Sequence, residues 1–451
     1  MSENNNDPIC IAGAGLVGSL WGVMMAQKGY NVEFFEKRGD IRKMEASAGR
    51  SINLALSDRG WKALNEAGVS EAVKDIAIPM YGRMIHDEEG NTQLLPYSHK
   101  GEAIYSISRS GLNCILMDQA DAYERINFNF ETGIEGFDPQ SKELYTTNEE
   151  GSEGTLKFSR LFGMDGAFSN VRDHLLKQGL YNYSQEFIEY GYKELHIPPD
   201  SQGNNQIHGN ALHIWPRKNF MLIALPNQDN SFTATLFLPF EGDKNSFEAL
   251  QDTQSIDNFF RREFHDAYQL MPTLHQDFAE NPTSGLVTIR CYPWHYDGSV
   301  CLMGDASHAI VPFFGQGMNA GFEDCTIMKN LIEKGGSWEE VFEKFSRQRK
   351  PDADAIADMA LENFVEMRDK VIDDWFRLKQ DLEKKIAKIF PDKWKTRYEM
   401  VTFSHLPYSE AMVRSRKQDQ ILEKLMHDVN VQHLMDDSAS LEEAVKDYLE
   451  G

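Results

Sequence analysis

The chain has 451 residues, with 46 Lys and Arg against 70 Asp and Glu, a formal net charge of −24. Such an acidic balance argues against nucleic acid and anionic membrane surfaces as partners, because phosphate-rich partners reward the opposite sign. Hydrophobic residues make up 41% and aromatics 11%, enough for a sizeable core, and the length exceeds one ordinary domain.

In chain order, Ile9-Cys10-Ile11-Ala12 reads as a buried strand running straight into Gly13-Ala14-Gly15-Leu16-Val17-Gly18. Leu20, Val23 and Met24 then space a helix that stops at Gly29. This is G-x-G-x-x-G in the strand–turn–helix setting that gives the motif meaning. The first glycine makes the tight turn, the second lets the backbone approach a pyrophosphate, and the third packs helix on strand. The helix start offers unpaired N–H donors to the phosphates. Val32–Phe35 is the next strand and ends at Glu36, placed to accept from ribose hydroxyls and to disfavour a 2′-phosphate. The expected ligand is an adenosine dinucleotide, FAD or NAD, and the fingerprint alone does not choose between them.

Arg50–Leu56 (RSINLAL) alternates enough for a short strand, with Asp58 expected to cap the following helix. GRMIHDEEGNTQLLPY, residues 82–97, reads as two strands around a turn at Glu89-Gly90-Asn91, a hairpin able to bring Arg83 and Tyr97 together. Ser110–Ala122 is helical, and Leu161–Gly166 is a strand entering an Asp165-Gly166 turn, after which Ser169 or Asn170 can cap a helix. Residues 180–290 carry β-rich segments such as FMLIALP and FTATLFLPF, with an acidic helical stretch near 245–268. From Cys301, CLMGDASHAIVPFFGQGMNAGFEDC runs from a strand through a Gly-Asp turn, an aromatic stretch and a glycine-rich turn into a helix. After Pro351 the pattern turns to long amphipathic helices.

These elements predict an α/β fold: a Rossmann-type FAD-binding or NAD-binding domain, an interleaved β-sheet substrate domain and a helical C-terminal region. The division expected is 1–80, 100–180 and 285–350 for the nucleotide domain, 81–99 and 181–284 for the β-rich domain, and 351–451 for the helices. Five cysteines, odd in number and without a C-x-x-C pair, read as free thiols in a reducing cytosol. MSENNNDP carries no secretory h-region, no run approaches the roughly 20 apolar residues of a membrane span, and Met435–Gly451 offers no apolar tail. A cytoplasmic protein is expected. Thirteen histidines form no H-x-x-x-H or H-E-x-x-H motif, so no metal is expected.

The fingerprint, Gly163-Met164-Asp165-Gly166 and Gly304-Asp305 leading to Gly315-Gln316-Gly317-Met318-Asn319, in that order, resemble the three-motif set of the group A aromatic hydroxylases. These are FAD-dependent monooxygenases, and GDASH here stands where that family more often has GDAAH. The resemblance implies FAD as cofactor, held by Gly13, Gly15, Val17, Gly18, Glu36, Lys37, Arg38, Ala55, Arg109, Asp165, Asp305, Gly317, Met318 and Asn319. Within that set Asp305 would bond the ribityl or ribose hydroxyls and the G-x-G-M-N turn would face the isoalloxazine. The motif around Asp165 is associated with NAD(P)H use. No second G-x-G-x-x-G is present, which suits a transiently bound nicotinamide donor.

Arg50–Gly60, Tyr81–His86, Tyr105–Ala120, VPFFGQGMNAGFEDC and Ala360–Asp369 further resemble the kynurenine 3-monooxygenase family, of bacterial type because the apolar anchoring helix of eukaryotic relatives is missing. That resemblance implies transfer of one oxygen atom of O2 to the ring of L-kynurenine with NADPH, through a flavin hydroperoxide and without a protein nucleophile or metal. It implies Arg83, Tyr97, Asn363 and Tyr398 at the polar end of the pocket, and Phe237, Pro312, Phe313, Phe314 and Met367 as its walls. From the residues alone, Arg83 reads first as a surface ion-pair partner, Asn363 as a solvent-facing or core-satisfied amide, and the tyrosines, phenylalanines and methionine as ordinary packing. Another group A hydroxylase, a non-oxygenating FAD protein and an NAD-linked dehydrogenase remain the rival readings. NADPH against NADH, and monomer against homodimer, are open.

Overall fold

Ile9–Ala12 (β1) is buried along its whole length and pairs in parallel on both edges, with Val32–Phe35 (β2) and Arg160–Gly163 (β12). A short apolar run with no polar alternation is what a strand covered on both faces requires. In the computed structural model, which describes residues 7–43, 53–98, 100–367, 374–427 and 431–450, these strands belong to a six-stranded sheet. Its order is His295–Tyr296 (β18), Val300–Leu302 (β19), β12, β1, β2 and Ile126–Asn129 (β8), parallel except for β18. Met1–Asn6, Arg50–Ile52 and Arg368-Asp369, to which parts of the sequence reading refer, lie outside the described residues.

Helices Leu16–Gln27 (α1) and Arg109–Asp121 (α4) pack together on this sheet, and Gly317–Lys334 (α10) lies against α1 and Asp58–Glu66 (α2). A three-stranded antiparallel sheet of Asn53–Leu56 (β3), Ile104–Ser108 (β7) and Ile78–Met80 (β4) flanks them, with Ser70–Lys74 (α3) nearby. A second small sheet, Thr132–Asp138 (β9), Glu143–Asn148 (β10) and Glu153–Lys157 (β11), precedes β12. Asn170–Leu175 (α5) follows β12, and Ser169 is its cap, accepting from Arg172 N. Ser57, rather than Asp58, occupies the cap position of α2, with Asp58 as the first helical residue.

The larger sheet has seven strands. Their order is Ser284–Tyr292 (β17), Asn182–Ile197 (β13), Phe232–Pro239 (β16), Phe220–Pro226 (β15), Leu212–Arg217 (β14), Gly82–His86 (β5) and Thr92–Pro96 (β6). All neighbours are antiparallel except β14 with β5. FMLIALP is apolar throughout, and FTATLFLP is so apart from Thr233 and Thr235, because both faces are covered. One face packs Leu222, Leu236 and Phe220 against Thr253–Glu263 (α6), His265–Tyr268 (α7) and Leu274–Glu280 (α8). The other carries Met221 and Phe237 toward Phe313, Phe364 and Met367.

Asp305–His308 (α9) and a 3-10 turn at Pro312–Phe314 lead into α10, and Trp338–Val365 (α11) follows. Pro351, where the sequence suggests a change of character, lies inside α11. The ring removes one backbone bond, and burial of Phe342, Phe345, Ala353, Ile356 and Ala357 on either side carries the helix through it. Asp374–Ile389 (α12), Arg397–Thr402 (α13), Tyr408–Met426 (α14), Val431–Asp436 (α15) and Ser438–Glu450 (α16) complete the described chain. Leu382, Ile386, Trp394, Leu422 and Leu441 give these helices a core of their own. No helix of the described residues is long and apolar enough to cross a membrane.

Candidate active site

Three turns converge at the carboxyl ends of β1, β12 and β19. Gly13 has φ +93°, and a Cβ there would lie 2.6 Å from Met164 O, so the Asp165-Gly166 turn backs directly onto the fingerprint. A Cβ on Gly18 would lie 2.1 Å from Gly13 O, which leaves no room for any side chain. Gly15 differs: a Cβ there would meet nothing within 4 Å. Its bare backbone is demanded by no protein neighbour, and it stands at the start of α1, whose first N–H groups have no side-chain cap. Open space beside uncapped helical donors is what a pyrophosphate needs. Val17 packs under the third turn, where a Cβ on Gly304 would lie 3.1 Å from Val17 Cγ2.

Beyond Gly304, at φ +60°, Asp305 is exposed and has no hydrogen-bond or ion-pair partner among the described residues. Arg109, the first residue of α4, is likewise exposed and unpartnered among them, and Lys37 is exposed. The start of α10 at Gly317-Met318 is capped by no side chain. These features fit FAD: free donors at two helix starts, an unpaired carboxylate for sugar-chain hydroxyls, and backbone that can be approached closely.

Other predicted residues are already engaged within the protein. Glu36 Oε2 accepts from Ala14 N at 3.0 Å, and Oε1 accepts from Arg38 N at 3.0 Å and Nε at 2.8 Å. Burial alone would raise this carboxyl, but the Arg38 and backbone donors hold it below the usual range. Asp165 turns both oxygens to the start of α5, accepting from Ser169 Oγ and from Val171 N, and burial lifts its pKa above the ordinary value. Asn319 donates to Ala55 O at 2.8 Å and Gly315 O at 2.9 Å. The glycine turn before α10 is thereby tied to β3.

The opposite wall is built by the β5–β6 hairpin and the C-terminal helices. The pairing Gly82↔Pro96 and Arg83↔Leu95 brings Tyr97 beside Arg83, whose Cζ lies 5.8 Å from the Tyr97 ring and 4.8 Å from that of Tyr398. The two tyrosine rings stack at 4.9 Å and 13°. Arg83 Nε and Tyr97 Oη are buried without a hydrogen-bond partner of good geometry. Burial keeps both phenols well into the protonated form, so they stay donors. Unsatisfied buried donors on neighbouring side chains are costly alone and call for an acceptor.

Phe314 stacks on Tyr398 at 5.8 Å and 15° and, with Arg83, Asn363 and Tyr398, lines a cavity of about 120 Å³. Phe313 turns the other way, packing on Phe237 at 5.0 Å and Phe364 at 4.1 Å. Its carbonyl accepts from Asn363 Nδ2 at 2.6 Å, and Met367 Sδ lies 3.3 Å from the same nitrogen. Pro312 is exposed beside them. Arg83, Tyr97, Asn363, Tyr398 and Phe314 are thus gathered, while Phe237, Phe313 and Met367 form the adjoining apolar cluster.

Sequence reasoning missed the polar core beneath these turns. Asp324, fully buried in α10, accepts from Gly304 N at 3.0 Å and Arg349 Nε at 2.8 Å and lies 2.6 Å from His308 Nε2. Burial would raise it, and the His308 and Arg349 charges hold it low. Glu323 pairs with both Arg349 and Arg59, and Arg59 stacks on Tyr408, whose hydroxyl donates to Gln316 Oε1 at 2.9 Å. The available signal was helical phase: Asp324 is seven residues from Gly317 and shares its face.

A family profile described as FAD binding domain matches residues 7–360. A kynurenine 3-monooxygenase of Flavobacterium johnsoniae is 46% identical over 94% of this chain and 95% of its own. That of Myxococcus xanthus is 44% identical over 94% and 92%, and that of Dictyostelium discoideum 42% over 98% of each. Among solved structures, 2-methyl-3-hydroxypyridine-5-carboxylic acid oxygenase superposes with a TM-score of 0.66 at 18% identity, covering 81% of this chain and 94% of its own. PqsL of Pseudomonas aeruginosa, described as a probable FAD-dependent monooxygenase, gives 0.65 at 16%, covering 80% and 97%; at such identities the likeness is one of fold. Family profile, full-length identity and the three converging turns agree, and the chain belongs to the kynurenine 3-monooxygenase family of FAD-binding proteins.

Proposed function

We propose that this protein hydroxylates L-kynurenine to 3-hydroxykynurenine, consuming NADPH, a proton and O2 and releasing NADP+ and water. The observation that carries the reading is the pair of unsatisfied buried donors, Arg83 Nε and Tyr97 Oη, beside an aromatic-walled cavity in a chain with full-length relatives of that name. Arg83 pairs with the substrate carboxylate, the Tyr97 and Tyr398 hydroxyls donate to it, and Asn363 completes the polar end. Phe314 walls the aminophenyl ring, and the adjoining cluster of Phe237, Phe313 and Met367, with Pro312 beside it, backs that wall and keeps water out. Gly13, Gly15, Gly18 and the starts of α1 and α10 hold the cofactor, with Asp305 on its sugar chain. FAD, when bound, supplies electron transfer from NADPH and oxygen activation. The protein's part is orientation and exclusion, and no side chain need act as a nucleophile.

All five cysteines are free thiols, which supports a reducing, cytoplasmic setting. The test is NADPH oxidation by the FAD-loaded protein, with product mass analysis. L-kynurenine should accelerate oxidation and yield 3-hydroxykynurenine. Acceleration only by a phenolic acid would assign the chain to another aromatic hydroxylation, and no O2 uptake with any aromatic effector would make it a non-oxygenating flavoprotein.

A further inference from the structure

The cavity at Arg83 has a second, unexplained side. Arg83 and Tyr398 line it together with the charged groups Glu366, Lys379, Glu383, Arg397 and Asp419, of which Glu366 lies 3.9 Å from Arg397. Most of those charges are matched. Lys379 Nζ lies 2.8 Å from Asp419 Oδ1, and Arg397 lies 2.6 Å from Asp419 Oδ2 and 2.7 Å from Glu362 Oε2. Two groups are left over. Arg83 Nε has no hydrogen-bond partner, and the Glu383 carboxyl makes no hydrogen bond or ion pair among the described residues. Beside them Tyr97, 8% exposed, has a hydroxyl with no hydrogen-bond partner of good geometry, and Asn363, 5% exposed, lines the same space.

One unmatched cation and one unmatched carboxyl on a single small cavity are complementary to a zwitterion. We propose that Glu383 receives the ammonium of an α-amino-acid substrate whose carboxylate is held at Arg83, so that the cavity clamps both charges of the amino-acid head. The inference rests on the functional reading above and adds to it a residue that selects for the amino group.

The surroundings of Glu383 suit the task. Burial and then the nearby Asp419 of α14 push its pKa up to about 7, against the opposing pull of Arg397 of α13 and Lys379 of its own helix, with Glu366 beyond α11 also raising it. An unpartnered carboxyl here is on the edge of ionisation at neutral pH, and an arriving ammonium favours its charged form. The sign follows: protonated Glu383 binds the ammonium poorly, so affinity for the amino acid improves as pH rises through about 7.

The experiment compares L-kynurenine with its des-amino analogue, 4-(2-aminophenyl)-4-oxobutanoate, in steady-state turnover of the FAD-loaded enzyme between pH 6 and 8. Wild type should prefer the amino acid by about tenfold or more in kcat/KM, the scale of one charged hydrogen bond. Its KM for the amino acid alone should fall with rising pH. Glu383→Gln should bring the preference toward unity and flatten the pH dependence, while Glu383→Asp should restore part of the preference. An unchanged preference in Glu383→Gln overturns the proposal. Should that variant fail to fold, identical KM–pH profiles for the two compounds in wild type overturn it equally. Failure of L-kynurenine to stimulate wild type at all would instead refute the underlying reading.

Discussion

Ser57 and Asn319 are 262 residues apart in sequence, yet Ser57 N donates to Asn319 Oδ1 at 2.9 Å. The same amide donates through Nδ2 to Ala55 O and Gly315 O. One side chain therefore closes the end of β3 against the glycine turn that opens α10. Space is tight, since a Cβ on Gly60 would lie 2.6 Å from Asn319 Oδ1. Asn319→Ala would orphan buried backbone groups on both segments, at about 1–3 kcal/mol. We expect weaker FAD retention with the sheets intact, read as a higher dissociation constant in flavin fluorescence titration. Wild-type retention would show the turn is held by other means.

The glycines of the fingerprint should separate by mechanism. Gly18→Ala forces a Cβ against Gly13 O and should prevent stable folding in the presence or absence of cofactor. Gly15→Ala meets no protein atom within 4 Å, so the apoprotein should melt close to wild type while FAD affinity drops by tenfold or more, about 1.4 kcal/mol. Calorimetry of both apoproteins and FAD titration check the contrast. Equal FAD affinity in Gly15→Ala would place the pyrophosphate elsewhere.

Arg83→Ala should raise the KM for L-kynurenine by about thirtyfold or more, the 2–5 kcal/mol of a truncated buried charge pair. FAD stoichiometry should be unchanged, because the ring contacts of Arg83 are with Tyr97 and Tyr398 and not with the Gly13–Gly18, Asp165 or Asp305 turns. A rise below about threefold would remove Arg83 from the carboxylate site.

Between adjacent strands β14 and β5 of the larger sheet, His213 Nδ1 lies 2.8 Å from His86 Nε2, and His86 Nδ1 lies 2.9 Å from Asp266 Oδ2. Burial pushes the His213 pKa down to about 3, far below the ordinary value of about 6.5. The folded state thus keeps His213 neutral while the unfolded chain takes up a proton below pH 6.5. Its contribution is complete above that value and is lost as pH falls toward 3, by about 1.4 kcal/mol per pH unit. Denaturant unfolding at pH 7.5 and 5 should show the loss, and His213→Gln should reduce the slope whatever its absolute stability. An equal slope in the variant would refute the assignment.

Asp324→Asn should be strongly destabilising. It removes a buried charge shared by His308, Arg349 and Gly304 N, at about 3–5 kcal/mol. Urea midpoints should fall accordingly, with FAD addition recovering part of the loss if the Gly304-Asp305 turn is what loosens.

What the sequence makes legible follows from how local each constraint is. Gly13 to Gly18 and the Arg83–Tyr97 hairpin can be read from a few residues because a tight turn fixes its own neighbours. The split between Phe313 and Phe314 cannot be read so, since a single 3-10 turn decides which ring meets the cavity and which meets Phe237. Asp324 and Arg349 look in sequence like any charged pair on two helices. Only the packing of α10 on α11 shows them to be fully buried. That Pro351 lies inside a helix is set by packing, since the apolar residues on either side carry α11 through it.

That uninterrupted helix has a mechanical consequence. Arg349, which grips the Gly304-Asp305 turn through Asp324, and Asn363, which meets the Phe313 carbonyl at the cavity, ride on the same rod. Fourteen residues span about 21 Å and fall about 40° short of four full turns, so both point to nearly the same side. The two ends of the active site are therefore set by one ruler. A screw motion or register slip of α11 could not adjust the pocket for a larger substrate without also shifting the grip on the cofactor turns.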